Sequence, residues 1–260
     1  MTNRKTKETD RLYIVMPAYN EEMNIRETVA QWHKIAVRIG PESRLVVVND
    51  GSRDRTGELL DQCRDACPRL IVFNRKNGGH GAAVLSGYRY ALDHGADYIF
   101  QTDSDGQTVP EEFWKFWRDR RLCGLLIGDR RHRQDGLARL AVTRALRMAL
   151  RIRFRISVKD SNTPFRLMRA KELAEILELF PEHCALPNVL MSVCYLRLGK
   201  TVRWYPVTFR PRQGGKNSLN IRRILRLGAR AWREFGELDG KKDENVRDRR
   251  TGLNKSAFRQ

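Results

Sequence analysis

No stretch of this 260-residue chain approaches the ~18 continuous apolar residues that a membrane-spanning helix requires. The opening MTNRKTKETDR is polar throughout and lacks the apolar middle of a secretory leader. The chain is therefore expected to begin and stay on the cytosolic side. Cysteine is scarce and unpatterned. Cys63, Cys67, Cys123, Cys184 and Cys194 form an odd set with no C-x-x-C pair and no histidine at zinc spacing, so reduced thiols are expected. Cys63 and Cys67 lie one helical turn apart and read as core or surface filler. There is no G-x-x-x-x-G-K-[ST], which excludes a P-loop phosphate cradle. The absence of G-x-G-x-x-G after the first apolar segment argues against a dinucleotide cofactor. What remains is a chain with 41% hydrophobic residues and apolar segments recurring from residue 12 to 235. That is enough for one sizeable core and too apolar for wholesale disorder.

Acidic residues are missing from two particular places. Residues 118–155 hold 12 Lys or Arg against 3 acids, and residues 200–233 hold 10 against none. The rest of the chain is balanced, so the net charge of +19 is a local feature. Within 137–155, Leu137, Leu140, Ala141, Ala145, Met148 and Ile152 recur at helical spacing, with Arg144, Arg147, Arg151 and Arg155 on another face. Within 221–235, Ile221, Ile224, Leu225, Ala231, Trp232 and Phe235 alternate similarly with arginines. Two basic amphipathic helices are expected. Each either lies on an anionic membrane surface or packs its apolar face on the core and leaves its arginines solvated. Nucleic acid is not an expected partner, because no aromatic-rich binding strand or recognised nucleic-acid motif accompanies the charge.

The first half repeats one unit. RLYIVMP at 11–17 reads as a buried strand, followed by a helix that Asn20 is placed to cap. Leu45 to Val48 form a β-branched strand, then a polar turn and a helix with Thr56 near its start. RLIVFN, a glycine-rich turn and another helix follow, and ADYIFQ leads into TDSDGQ. Strands alternating with helices at this interval make an α/β fold with a mostly parallel sheet. Ligands of such sheets bind at the carboxyl ends of the strands, so YNEE, NDGS, RKNGGHG and DSDGQ should meet in one cleft.

Asp103 and Asp105 in that cleft would suit a hard cation such as Mg²⁺ or Mn²⁺, itself a bridge to phosphates; the alternative is a pair of solvated acids in a turn. Asp50 either accepts hydrogen bonds from a base or ribose or caps the next helix. Gly78, Gly79 and Gly81 allow close backbone approach to a ligand, or simply a tight turn.

Taken in order, VMPAYNEE, VVVNDGSRDRT, NRKNGGHGAA, TDSDGQTVPE, IGDRR and DSNTPFRLM resemble the family-two inverting glycosyltransferases of GT-A fold. The nearest resemblance is to dolichyl- and polyprenyl-phosphate sugar synthases, over about residues 11–235. It implies a single Rossmann-like GT-A domain with helices on both faces of the sheet. The polar residues 1–10 would be a tail, and 236–260, charged and without apolar period, a disordered one. The resemblance implies a nucleotide-sugar donor bound by Pro17, Tyr19, Asn20, Glu21, Asp50 and Gly81. It places the divalent ion and donor pyrophosphate on Asp103, Asp105 and Gln107. Arg130 and Arg144 would take the phosphate of a polyprenyl acceptor, although Asp129 stands where the family's G-S-R motif has serine. Asp160 and Arg166 would be scaffold or acceptor-side residues, with Pro164 where glycine is usual. Arg212, Lys216 and Ser218 would close over the donor phosphates on a Gly214–Gly215 hinge. A peripheral location on the cytoplasmic face of a membrane follows, with a separate membrane-anchoring subunit as a further partner.

Two other readings stand beside this one. A hydroxyl acceptor on a glycan or small molecule would need a carboxylate base, for which Asp160 or Glu182 are candidates. A non-catalytic nucleotide- or RNA-binding protein would keep the fold without turnover. The processive polymer-synthase signature Q-x-x-R-W is absent; the nearest string is KTVRW at 200–204.

Overall fold

The apolar runs form strands buried on both faces, which is why they read as continuous rather than alternating. In the computed structural model, which describes residues 10–130, 148, 151–156, 158, 160, 162–180, 184 and 186–211, four strand–turn–helix steps come first. These are β1 (Leu12–Ala18), α1 (Ile25–Ile39), β2 (Arg44–Asn49), α2 (Thr56–Ala66), β3 (Leu70–Asn74), α3 (His80–Asp93) and β4 (Tyr98–Gln101). A short 3-10 turn and α4 (Phe113–Arg118) lead to β5 (Leu125–Asp129). After it come β6 (Arg166–Arg169), α5 (Ala170–Leu177), α6 (Pro187–Arg197) and β7 (Val202–Pro206). Segment 221–235, most of 137–155, residues 1–9 and the tail from 236 lie outside the described residues.

Seven strands form one sheet in the order β3-β2-β1-β4-β6-β5-β7. Leu12, Ile14, Met16, Leu45 and Val47 point to the face covered by α1, α2 and α4, whereas Tyr13, Val15, Val46 and Val48 join the core under α3 and α6. The helices therefore sit on both faces, as expected. Trp32 of α1 is completely buried against Phe100, Phe113 and Phe165 and anchors the first of these layers.

The sheet is mostly parallel, as expected, but two features were not foreseen. Strand β6 runs antiparallel to both β4 and β5, pairing Gln101 with Arg166 and Ile127 with Arg166. And α1 begins at Ile25, so Asn20 does not cap it. Asn20 instead has a left-handed backbone, φ 54°. Its Oδ1 accepts from Arg53 N at 2.8 Å, and its own N–H donates to Ser52 Oγ at 3.1 Å. A short amide side chain tolerates that conformation and binds the neighbouring turn in it. Among the described residues no helix is long and apolar enough to cross a membrane.

Candidate active site

The strand order reverses between β1 and β4, and at that point a cleft of about 560 Å³ opens at the carboxyl ends of the strands. All four expected loops reach it. Pro17, Tyr19 and Glu21 come from the end of β1, Asp50 from β2, Asn77, Gly79 and His80 from the turn into α3, and Asp103 to Asp105 from β4.

The D-x-D turn is held by its middle residue. Ser104 is buried, donates its hydroxyl to Pro17 O at 2.9 Å, and its carbonyl accepts from Thr28 Oγ1 at 3.4 Å. Gly106 follows with φ 71°, a left-handed position that allows the tight return. Asp105 Oδ1 accepts from Gln107 N at 3.1 Å. Asp103 is different: its Oδ1 is buried with no hydrogen-bond partner. Burial raises the Asp103 pKa to about 6, against the attraction of His80 and with added repulsion from Asp105. A buried carboxylate oxygen lacking a partner, beside a second acid, is the environment a divalent cation would relieve. Among the described residues no three His, Cys, Asp or Glu side chains group as a metal centre. Two carboxylates, with water and phosphate oxygens completing the shell, fit Mg²⁺ or Mn²⁺.

The proton on Asp103 gives a pH signature. The unfolded chain releases it near pH 4 and the folded chain near pH 6, so in the metal-free protein this group lowers stability as pH rises through that window. A cation must displace the same proton. Mn²⁺ affinity is expected to fall by about tenfold per pH unit below 6 and to level off above it, measured by calorimetry between pH 5 and 7.5. A flat profile would remove Asp103 from the coordination shell.

Asp50 is an organiser of the opposite wall. Its Oδ1 accepts from Arg75 Nη1 at 2.9 Å and Gly78 N at 3.0 Å, its Oδ2 from Gly79 N at 2.8 Å, and its backbone carbonyl from Asn77 Nδ2 at 2.8 Å. One carboxylate thus shapes the whole 75–79 turn, and it does not cap α2. Gly79, with φ 88°, lines the cleft, whereas Gly81 turns away from it. A Cβ on Gly81 would stand 2.2 Å from Cys184 O, so its missing side chain serves packing of α3 on the 184–187 segment.

Gln107 is not on the cleft lining. Its Nε2 donates to Arg210 O at 2.9 Å and its carbonyl accepts from Arg210 N at 2.8 Å. Arg130, at the end of β5, meets Asp160 in a two-point ion pair: Nε to Oδ2 at 2.7 Å and Nη2 to Oδ1 at 2.9 Å. The guanidinium carbon lies 5.0 Å from the centre of the Phe209 ring. Arg166 is fully buried and donates to the carbonyls of Thr163 and Asn188 at 3.1 and 2.9 Å. Burial lowers its pKa to about 10, against the pull of Tyr88 and Asp160. That is a scaffold position. Arg144, Arg212, Gly214, Gly215, Lys216 and Ser218 lie outside the described residues. Asn77, His80 and Phe209 are the residues that sequence reasoning did not single out. The first two sit within the glycine-rich string, and Phe209 carries no periodic signal.

A mostly parallel sheet that reverses its strand order over a pair of acids is the plan of the GT-A glycosyltransferases. The chain belongs to glycosyl transferase family 2, whose sequence model matches residues 13–171. It is 28% identical over 217 residues to the undecaprenyl-phosphate mannosyltransferase of Micrococcus luteus, covering 81% of this chain and 88% of that one. It is also 28% identical to the polyprenol monophosphomannose synthase of Mycolicibacterium smegmatis, covering 89% and 90%. Among solved structures, the glucosyl-3-phosphoglycerate synthase of Mycobacterium tuberculosis, in complex with Mn²⁺, uridine diphosphate and glucosyl-3-phosphoglycerate, aligns with a TM-score of 0.62. It does so at 17% identity over 89% of this chain and 80% of that one, a likeness of fold.

Proposed function

We propose that this glycosyltransferase moves a sugar from a nucleotide-sugar to the phosphate of a polyprenyl phosphate, with inversion at the anomeric carbon. The observation that carries the reading is the union, at one end of the sheet, of the Asp103–Asp105 pair with a guanidinium, Arg130, at the edge of β5. The relatives named for undecaprenyl phosphate and polyprenol substrates support it.

Pro17, Tyr19, Glu21 and the wall built by Asp50 receive the nucleotide end of the donor. A divalent ion on Asp103 and Asp105 would supply charge neutralisation as the nucleoside diphosphate leaves. Arg212 and Lys216 are the cations we assign to the same phosphates. A phosphomonoester acceptor is already anionic near neutral pH, so the demand on the protein is placement of cations rather than proton abstraction. Arg130 and Arg144 meet that demand. The hydroxyl-acceptor reading needs a carboxylate base, and Asp160 is poorly suited to it because both of its oxygens accept from Arg130.

The membrane reading draws support from the described part of the first basic helix. Met148 and Ile152 are 63% and 72% exposed, although they carry its apolar pattern. An apolar face turned to solvent among arginines suits an anionic bilayer surface, where the lipid acceptor resides. We place the enzyme there, on the cytoplasmic face, with a membrane-anchoring subunit as a partner to be sought.

Nucleotide-sugars screened with Mn²⁺ are expected to yield transfer to a short-chain prenyl phosphate and none to the corresponding alcohol, read by product mass. Transfer to the alcohol alone would replace the phosphate acceptor with a hydroxyl.

A further inference from the structure

The segment that follows β7 is fixed residue by residue between the end of β5 and the loop that follows β4. Val207 N donates to Asp129 O at 3.0 Å, next to Arg130. Thr208 donates its N–H to Glu112 Oε2 at 2.8 Å and its hydroxyl to Glu112 Oε1 at 3.2 Å. Phe209 forms an antiparallel bridge with Thr108, whose hydroxyl meets Thr102 Oγ1 at 2.9 Å. Arg210 exchanges backbone and side-chain hydrogen bonds with Gln107. The backbone carrying Phe209 is thus sewn to the loop that holds the acid pair, while the Phe209 ring packs on a guanidinium at the other side.

Asp160 takes the Nε and Nη2 donors of Arg130 and fixes the guanidinium along one edge. An edge contact alone leaves the plane able to tilt about the carboxylate. An aromatic ring centred 5.0 Å from the guanidinium carbon limits that tilt on one side, and cation–π attraction adds to the restraint. One edge is then taken by Asp160, and Nη1, which makes no hydrogen bond among the described residues, is the nitrogen left for an incoming anion.

We propose that Phe209 is a positioning residue for sugar transfer, its ring holding the Arg130 guanidinium in the orientation that receives the acceptor phosphate. The inference rests on the reading of Arg130 as a phosphate ligand. Phe209 does not touch the reacting atoms; it acts through Arg130, and its own place is dictated by the Gln107–Thr108 loop. The loop after the acid pair and the Arg130 guanidinium therefore share one short piece of backbone.

Calorimetric titration of the full chain with farnesyl phosphate, with farnesol as the uncharged control, tests the idea. Wild type should bind farnesyl phosphate more tightly than farnesol. Phe209→Leu should weaken farnesyl phosphate about tenfold while leaving farnesol affinity, Mn²⁺ affinity and melting temperature unchanged. Phe209→Trp, which restores an aromatic face, should recover most of the loss. Phe209 is only partly buried, which favours intact folding of both variants. A leucine variant with wild-type affinity for farnesyl phosphate would overturn the proposal, as would a tryptophan variant no better than leucine. Loss of Mn²⁺ binding alongside would also overturn it, by showing a general structural role. If wild type itself fails to prefer the phosphate over the alcohol, the phosphate-ligand reading of Arg130 is the part that fails, and the role of Phe209 falls with it.

Discussion

Asp105→Ala is expected to lower turnover by about a thousandfold, with Mn²⁺-dependent donor binding lost in parallel. The reason is the charge that develops as the nucleoside diphosphate departs. Asp103 alone cannot hold a hard cation against water, and its own carboxyl keeps a proton to about pH 6 because it is buried. Asp105→Asn should retain the turn, since an amide oxygen can still accept from Gln107 N, yet lose most of the activity. Full turnover in the alanine variant, measured under saturating Mn²⁺, would take the acid pair out of the chemistry.

The second large effect falls on stability. The Arg130 and Asp160 side chains are 11% and 7% exposed and bond at two points. Asp160→Ala leaves a guanidinium largely desolvated without its counter-charge. A loss of about 3 kcal/mol is expected, with a melting temperature lower by about 10 °C. Replacing both partners by apolar residues, Arg130→Met with Asp160→Leu, should recover much of that loss, because the buried charge goes with its partner. Transfer to prenyl phosphate should stay lost in the double variant. Thermal unfolding of the single variant at the wild-type temperature would mean that Arg130 is solvated rather than paired.

How much of this was legible in the chain depends on the range over which each signal acts. The first four strands were readable because β-branched runs such as LVVV end at polar turns, and both facts are local. The acid pair was readable for the same reason, since two aspartates directly after a buried strand have few other places to point. Strand β6 was not. It is the four residues RLMR, with arginines at both ends, and nothing local marks its reversed direction. Asn20 looked like a helix cap because its side chain is suited to that task, but its partner lies 33 residues on, in the turn after β2. Gln107 was singled out from the D-x-D-x-Q string, but nothing local showed that its amide nitrogen donates to a carbonyl 103 residues away. Helix-forming and strand-forming preferences carry no information about such distant partners.

The antiparallel entry of β6 has a consequence for how this enzyme can change. Because β6 runs against β4 and β5, the chain departs from the end of β5 at Arg130 and returns at Asp160 and Phe165 on the same rim, and the ion pair between Arg130 and Asp160 ties the departure to the return. The two ends of the excursion are therefore held together by one buried ion pair. A single substitution at either partner would release both ends at once, which makes this pair the point of control over the rim shared by β5 and β6.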